Sequence, residues 1–178
     1  MTWYQLAIRA PFCGTRLRNH ITLGAGWVGL NFEMAFGGPV KIVNVAAMQA
    51  LGSYKRGKML LLGLGTGLGS ALAVDGIVEP MALGHLPYRK GVYEDYVGAA
   101  GSEKRGKKKW RRHVSDVVAC LTAVLEPDDV VLGGGNAKKL KQLPPGCRLG
   151  DNASAFLGRF RHWEQEHKYG STRRTTRH

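Results

Sequence analysis

The residues best suited to chemistry in this chain are among its smallest. Residues 59–76 read MLLLGLGTGLGSALAVDG, with glycine at 63, 65, 67 and 69 between two apolar runs. Converging backbone N–H groups in such a loop make a concavity for an anion, and the missing side chains let phosphate approach closely. Thr66 adds a hydroxyl donor between Gly65 and Gly67, and Gly69 closes the series. No GK[ST] follows, so this is not a Walker loop. A strand rather than a helix is expected after it, which argues against a dinucleotide loop. The same pattern also suits a tight hairpin with no ligand, and the spacing does not choose between the two.

A second cluster, Gly133, Gly134 and Gly135 followed by Asn136, ends the run DVVLGGG. If a helix opens there, its N-terminus attracts anions and the glycines let a ribose or a flat ring lie against the backbone. The plainer reading is a strand-to-helix turn that needs small residues. Two such loops in one α/β unit favour a nucleotide. His85, in ALGHLPYRKG, falls in a polar loop, where a histidine is ordinarily a surface residue. Asn44 ends the apolar run VKIVN, and its amide either binds a hydroxyl-rich ligand or caps the next helix. Lys104, Arg105, Lys107, Lys108, Lys109, Arg111 and Arg112 surround Trp110. This run reads as a solvated helix face with the tryptophan turned to the core. As a functional patch it would bind a polyanion with salt-sensitive affinity.

The elements that must position these residues follow from periodicity and breakers. Strands are expected over 4–8, 40–44, 58–64, 69–75, 77–79 and 129–135, with a loop at Arg16–Arg18. Short helices are expected over 28–36, 46–54 and 136–143, the last ended by Pro144-Pro145-Gly146. A long helix is expected over 102–125, where Val114, Val117, Val118, Leu121 and Leu125 recur at helical spacing. A final amphipathic helix over 153–166 carries Phe156, Phe160 and Trp163. That order gives an α/β layer on a mixed sheet, hairpin strands first and parallel crossovers after. The tail 168–178, with Lys168, Arg173, Arg174 and Arg177, has almost nothing apolar to bury and is expected to be disordered.

Composition sets the outer limits. The 178 residues are 44% apolar and 22% charged, a globular balance. Lys and Arg number 26 against 13 acidic residues, a formal +13, which predicts attraction to nucleic acid, polyphosphate, nucleotides or acidic membranes. Three scattered cysteines, Cys13, Cys120 and Cys147, form no CxxC pair, so neither a disulfide framework nor structural zinc is expected. No apolar run approaches the roughly 20 residues of a membrane span. The start MTWYQLAIRAPF lacks the form of a signal peptide. A soluble cytoplasmic protein is expected.

Taken in order, VNVAAMQALG, LGTGLGSAL, VDGIVEPMALGHLPYRKGVYEDYVG, KRGKKKW and VVLGGGNAKKL resemble the ROK family of sugar kinases, above all its polyphosphate- or ATP-dependent glucokinases. The resemblance runs from about Gly26 to Trp163. It implies the two-lobed actin-like ATPase fold, built on ribonuclease H-like sheets. The C-terminal lobe would dominate, with a partial N-terminal lobe over 1–54, the nucleotide-binding lobe over 55–167 and the tail beyond. It implies that Gly65, Thr66, Gly67 and Gly69 hold the transferred phosphate and that Gly133–Gly135 with Asn136 lie by the adenosine. Asn44 and His85 would contact glucose, and Lys104, Arg105, Lys107, Lys108 and Lys109 would guide polyphosphate. The donor would be ATP or polyphosphate with Mg²⁺, and zinc is not implied.

Three departures stand against that pattern. The family reads Asn-Asp-Ala-Asp where this chain has Asn44-Val45-Ala46-Ala47, and the first aspartate there is the general base. Val45 cannot accept a proton, so no catalytic residue is assigned. The family's Glu-Leu-Gly-His is here Ala82-Leu83-Gly84-His85, one sugar-binding carboxylate fewer. No Asp-x-Gly-Gly-Thr precedes Gly26, so the chain reads as N-terminally truncated. An uncovered sheet edge of that kind favours a homo-oligomer or a separate N-terminal partner. Three functions stay open: a glucokinase impaired in transfer, a binding-only pseudokinase, and a basic nucleic-acid-binding module.

Overall fold

The computed structural model describes residues 4–8, 12–13, 16–17, 30–38 and 40–150. The expected helix over 153–166 and the tail lie outside the described residues. The chain divides into a smaller unit, Met1–Val45, and a larger one, Ala46–His178.

In the smaller unit, β1 (Tyr4–Ile8) pairs in parallel with β4 (Val40–Asn44), Tyr4 opposite Val40 and Ile8 opposite Asn44. Between them in sequence, β2 (Phe12–Cys13) and β3 (Arg16–Leu17) pair antiparallel. Arg16 and Leu17, expected in a loop, are therefore the returning arm of a small hairpin. Helix α1 (Phe32–Phe36) is shorter than the expected 28–36. The Asn31 side chain accepts from the N–H groups of Glu33 (3.0 Å) and Met34 (3.2 Å), and Gly37 takes φ 65° at the other end. The first is a helix start signal and the second a stop signal, and they leave only these five residues between them.

Helix α2 (Val45–Ser53) leads into the sheet of the larger unit. Strands β5 (Lys58–Leu64), β6 (Leu68–Val74) and β7 (Ile77–Met81) form an antiparallel meander. On its far side β5 pairs in parallel with β10 (Asp129–Gly133), which pairs in parallel with β11 (Cys147–Leu149). The sheet order is β11-β10-β5-β6-β7, the mixed sheet expected. Pro80 falls in β7, an edge strand, where a missing N–H costs least.

The central strand is buried on both faces. Leu60, Leu62 and Leu64 pack with Leu132 against Trp110, Val114, Val117, Val118 and Leu121. Met59 and Leu61 face the other way, with Ala71, Ala73 and Val131, against Ala46 and Ala50 of α2. The period-2 alternation of a strand thus splits one apolar run between two cores.

The connection from β7 holds elements too short to announce themselves by periodicity. They are a 3₁₀ turn (Leu83–His85), the two-residue strands β8 (Pro87–Tyr88) and β9 (Gly91–Val92), and helix α3 (Tyr93–Val97). Helix α4 runs over Ala99–Leu125, three residues earlier than the expected start, and is broken at Gly106. That glycine has φ 76° and ψ 153°, far from helical values and strained for any residue with a β-carbon. The helix expected over 136–143 is only a 3₁₀ turn, Ala137–Lys139. Leu140 is already extended at ψ 121°, and the following Pro144-Pro145 disfavours helical backbone just ahead of it. Strand β11 was not expected. It is fastened by Arg148, whose Nε lies 3.0 Å from both carboxylate oxygens of Asp129 and whose Nη2 donates to Ser53 O at 2.7 Å. Among the described residues no helix is long and apolar enough to cross a membrane.

Candidate functional site

The four alternating glycines have two jobs, and the strand period separates them. Gly63 and Gly69 are cross-strand partners, and Gly133 lies opposite Gly63 on the other side of β5. A β-carbon at Gly69 would stand 3.5 Å from that of Ala46, and one at Gly133 would stand 3.2 Å from Gln49 Oε1. Residues 59, 61 and 63 share a face, so these bare positions continue the side that packs on α2. Gly63, Gly69 and Gly133 let the start of that helix approach the sheet.

Gly65–Gly67 form the turn itself, and its carbonyls are tied inward. Gly65 O accepts from Ala99 N (3.0 Å) and from Asn136 Nδ2 (3.0 Å), and Thr66 O also accepts from Ala99 N (3.1 Å). Each peptide group is planar and trans, so its N–H points opposite to its C=O. The N–H groups of Thr66 and Gly67 are therefore turned away from the anchoring bonds, and Thr66 is exposed. Gly65 N–H is used within the turn, donating to Gly67 O at 3.1 Å.

The second glycine cluster joins the first directly. Asn136 N–H donates to Leu64 O at 2.9 Å, beside the bond from its side chain to Gly65. Asn136 is buried and spent on this junction. Gly134 has φ 82°, and a β-carbon there would run into the backbone of Leu64. Gly135 is exposed, with nothing within 4 Å of where its β-carbon would be. The two motifs thus form one rim at the carboxyl ends of the parallel strands β5 and β10, where open α/β sheets bind ligands.

His85 ends the 3₁₀ turn, with Nδ1 3.6 Å from Glu94 Oε1. The Glu94 carboxylate lies against the glycine turn, because a β-carbon at Gly67 would collide with it and one at Gly84 would come within 3.4 Å. Glu94 and Gly98, whose missing side chain makes room for Thr66 O, were not singled out from the sequence. Their only sequence signal is the polar cluster YEDYVG, which is too short for a periodic argument. Asn44 is the half-buried last residue of β4 and Val45 the first of α2, both in the smaller unit. The remaining candidates stand in the larger one. Among the described residues no three His, Cys, Asp or Glu side chains converge to hold a metal.

The basic run is divided by the break at Gly106. Lys104, Lys107, Lys108 and Lys109 are exposed, and Arg105 lies half-buried with its guanidinium 3.8 Å from the centre of the Tyr96 ring. Trp110 is wholly buried, and its Nε1 donates to Val97 O at 2.8 Å. Beyond it, His113 Nδ1 is 3.1 Å from Tyr88 Oη, which donates to Asp116 Oδ2 at 3.1 Å. The rings of both Tyr88 and Tyr96 stand in T-shaped contact with His113. Burial, then the charges of Arg89 and Arg105, hold the His113 pKa below its ordinary 6.5, against the pull of Asp116. The unfolded chain then binds a proton more readily than the native one. Stability supported by neutral His113 is complete above 6.5 and is lost as pH falls through the depressed value. Thermal melts between pH 7.5 and 5 are expected to show this loss, and His113→Gln to flatten it.

Comparison with known proteins bears on the same rim. No family model matches the chain. It is 27% identical over 144 residues to polyphosphate glucokinase of Mycobacterium tuberculosis, a match that takes in 72% of this chain. The matched region is 54% of that protein, so the chain spans about half the length of the curated relatives it matches. The inorganic polyphosphate/ATP-glucomannokinase of Arthrobacter sp. strain KM superposes with a TM-score of 0.80 at 20% identity, covering 93% of this chain and 74% of that one. The ROK hexokinase of Thermus thermophilus gives 0.62 at 19% identity, covering 90% and 78%. With the glycine rim of the larger unit, these matches identify the chain as a homologue of polyphosphate glucokinase that carries the actin-like ATPase fold of the ROK sugar kinases.

Proposed function

We propose that this protein binds the phosphate chain of ATP or polyphosphate at the Gly65–Gly67 turn, as a glucokinase-like sugar kinase would, and that its transfer to glucose is impaired. The observation that carries the reading is the junction of the two glycine turns. Asn136 and Ala99 hold the Gly65 and Thr66 carbonyls inward, which aims the Thr66 and Gly67 N–H groups at an incoming anion. Preorganised donors of this kind are the main protein contribution to phosphoryl transfer. Gly135 offers open backbone for a nucleoside. His85 and Glu94, next to the turn, supply an imidazole and a carboxylate for sugar hydroxyls, so Glu94 offsets the absence of an acid at Ala82.

The impairment rests on Val45, which by resemblance stands where the family has its general base. A positioned base is worth roughly 10²–10⁴ in rate. Calorimetry with Mg·ATP and with polyphosphate, together with a coupled assay for glucose 6-phosphate, tests both halves. Donor binding is expected with turnover far below the ~1–10³ s⁻¹ usual for enzymes. Failure to bind either donor overturns the site, and turnover within that usual range overturns the impairment. Binding with no turnover at all makes the protein a pseudokinase.

A further inference from the structure

We infer that a groove on the outer face of α4 is an anchoring site for the remote part of a long inorganic polyphosphate chain, separate from the glycine turn. This deepens the donor reading above and rests on it for the identity of the ligand. The groove has a volume of about 740 Å³ and lies between α4 and the segment 141–145. Lys109, Arg112, His113 and Asp116 recur at three- and four-residue steps on one helix face, with Arg89 and Lys141 beside them. Leu143, Pro144 and Pro145 line it as well.

Its charge is strongly one-sided. Five basic side chains line it, Arg89, Lys109, Arg111, Arg112 and Lys141, against the single acid Asp116. Two of the five are engaged. Arg89 lies 3.7 Å from Asp116, and Arg111 donates through Nε and Nη2 to Lys139 O at 3.0 and 2.9 Å. Lys109, Arg112 and Lys141 are exposed and have no acidic partner among the described residues. Like charges gathered in a concavity raise the local concentration of a polyanion.

The groove is tied to the glycine rim through one short segment. Asn136 bonds Gly65 at one end, Lys139 O holds Arg111 three residues later, and Lys141 lines the groove after that. Long-chain polyphosphate has many phosphates to spare beyond those the turn would hold, whereas ATP has only three. The chemistry favours a bare phosphate chain over nucleic acid. The one tryptophan in the basic run is wholly buried, and the groove's single aromatic ring, His113, is already stacked edgewise with Tyr88 and Tyr96, which leaves little aromatic surface for bases.

The test is equilibrium binding without glucose, at two salt concentrations. The ligands are long-chain polyphosphate, tripolyphosphate and Mg·ATP, with a single-stranded oligonucleotide of charge matched to the long polyphosphate. The triple variant Lys109→Ala/Arg112→Ala/Lys141→Ala is expected to weaken long-chain polyphosphate roughly tenfold or more, since it removes all three groove cations without an acidic or carbonyl partner among the described residues. Its effect on tripolyphosphate and ATP is expected to be below about twofold, because they occupy the turn. The control Lys55→Ala/Arg56→Ala/Lys58→Ala removes the same formal charge at the amino end of β5, outside the groove, and is expected to change little. Equal losses in both triple variants would reduce the effect to generic attraction and overturn the site. Oligonucleotide binding as tight as that of long polyphosphate, lost in the groove variant alone, would reassign the groove to nucleic acid. Lost ATP binding with groove-dependent polyphosphate binding intact would sink the turn and leave the groove standing.

Discussion

Trp110→Ala is expected to remove a large share of the larger unit's stability. The indole is wholly buried in the main core with Leu60, Leu62, Leu64 and Leu132, and its N–H satisfies Val97 O. Truncating a buried tryptophan or phenylalanine costs about 3–5 kcal/mol. Natural domains have only about 5–15 kcal/mol in all. Denaturant titration should show the midpoint displaced or the transition absent. Trp110→Phe fills most of the space but leaves the Val97 carbonyl without its donor, a loss of about 1–3 kcal/mol. Lys108→Ala, two residues away and exposed, is expected to stay within about 0.5 kcal/mol. If Trp110→Ala melted like Lys108→Ala, the packing of α4 on the sheet would be wrong.

Gly134→Ala is expected to have the largest effect on ligand binding. At φ 82° an added methyl group strains the backbone and would meet Leu64 C at 2.8 Å and Leu64 N at 2.9 Å. Main-chain atoms cannot rotate aside as a side chain can. Relief requires the 134–136 turn to move off β5, which pulls Asn136 from Gly65 and frees the carbonyl that orients the Gly65–Gly67 turn. Strain alone is worth about 1–3 kcal/mol. Stability should fall by at least that much, and affinity for ATP and tripolyphosphate by more than about tenfold, the factor that 1.4 kcal/mol represents. Gly135→Ala meets no neighbour and should not alter stability, so any loss of ATP affinity there reports a nucleoside lying against that backbone. Calorimetry on the two variants separates the effects, and unchanged affinity in Gly134→Ala would show that the two turns act independently.

The sequence went furthest where one local rule governs a whole element. The apolar runs over 58–64 and 129–133 could satisfy themselves only as buried strands, and the helical spacing of Val114, Val117, Val118 and Leu121 fixed the inward face of α4. Trp110 is turned to the core, as expected of a tryptophan within a solvated basic helix face. The sequence failed where competing local preferences were close in energy. NAKKLKQL has good helix formers, but Asn136 is held by Gly65 and the prolines close the other end, so only one 3₁₀ turn survives. α3, β8, β9 and β11 are two to five residues long, and no period can be read over so few.

The site divides in the same way. Glycine spacing, the order of the motifs and the valine at position 45 are properties of the chain and were legible without coordinates. Which glycines make room for α2 and which turn their N–H groups outward depended on Gln49, Ala99 and Asn136, residues 14 to 84 positions away in sequence. So did the approach of Glu94 to Gly67 and the concave placing of Lys109, Arg112 and Lys141. A linear pattern records which groups are present and their local period. The direction of a carbonyl or the partner of a carboxylate is set by long-range hydrogen bonds, which exist only once the sheet has closed.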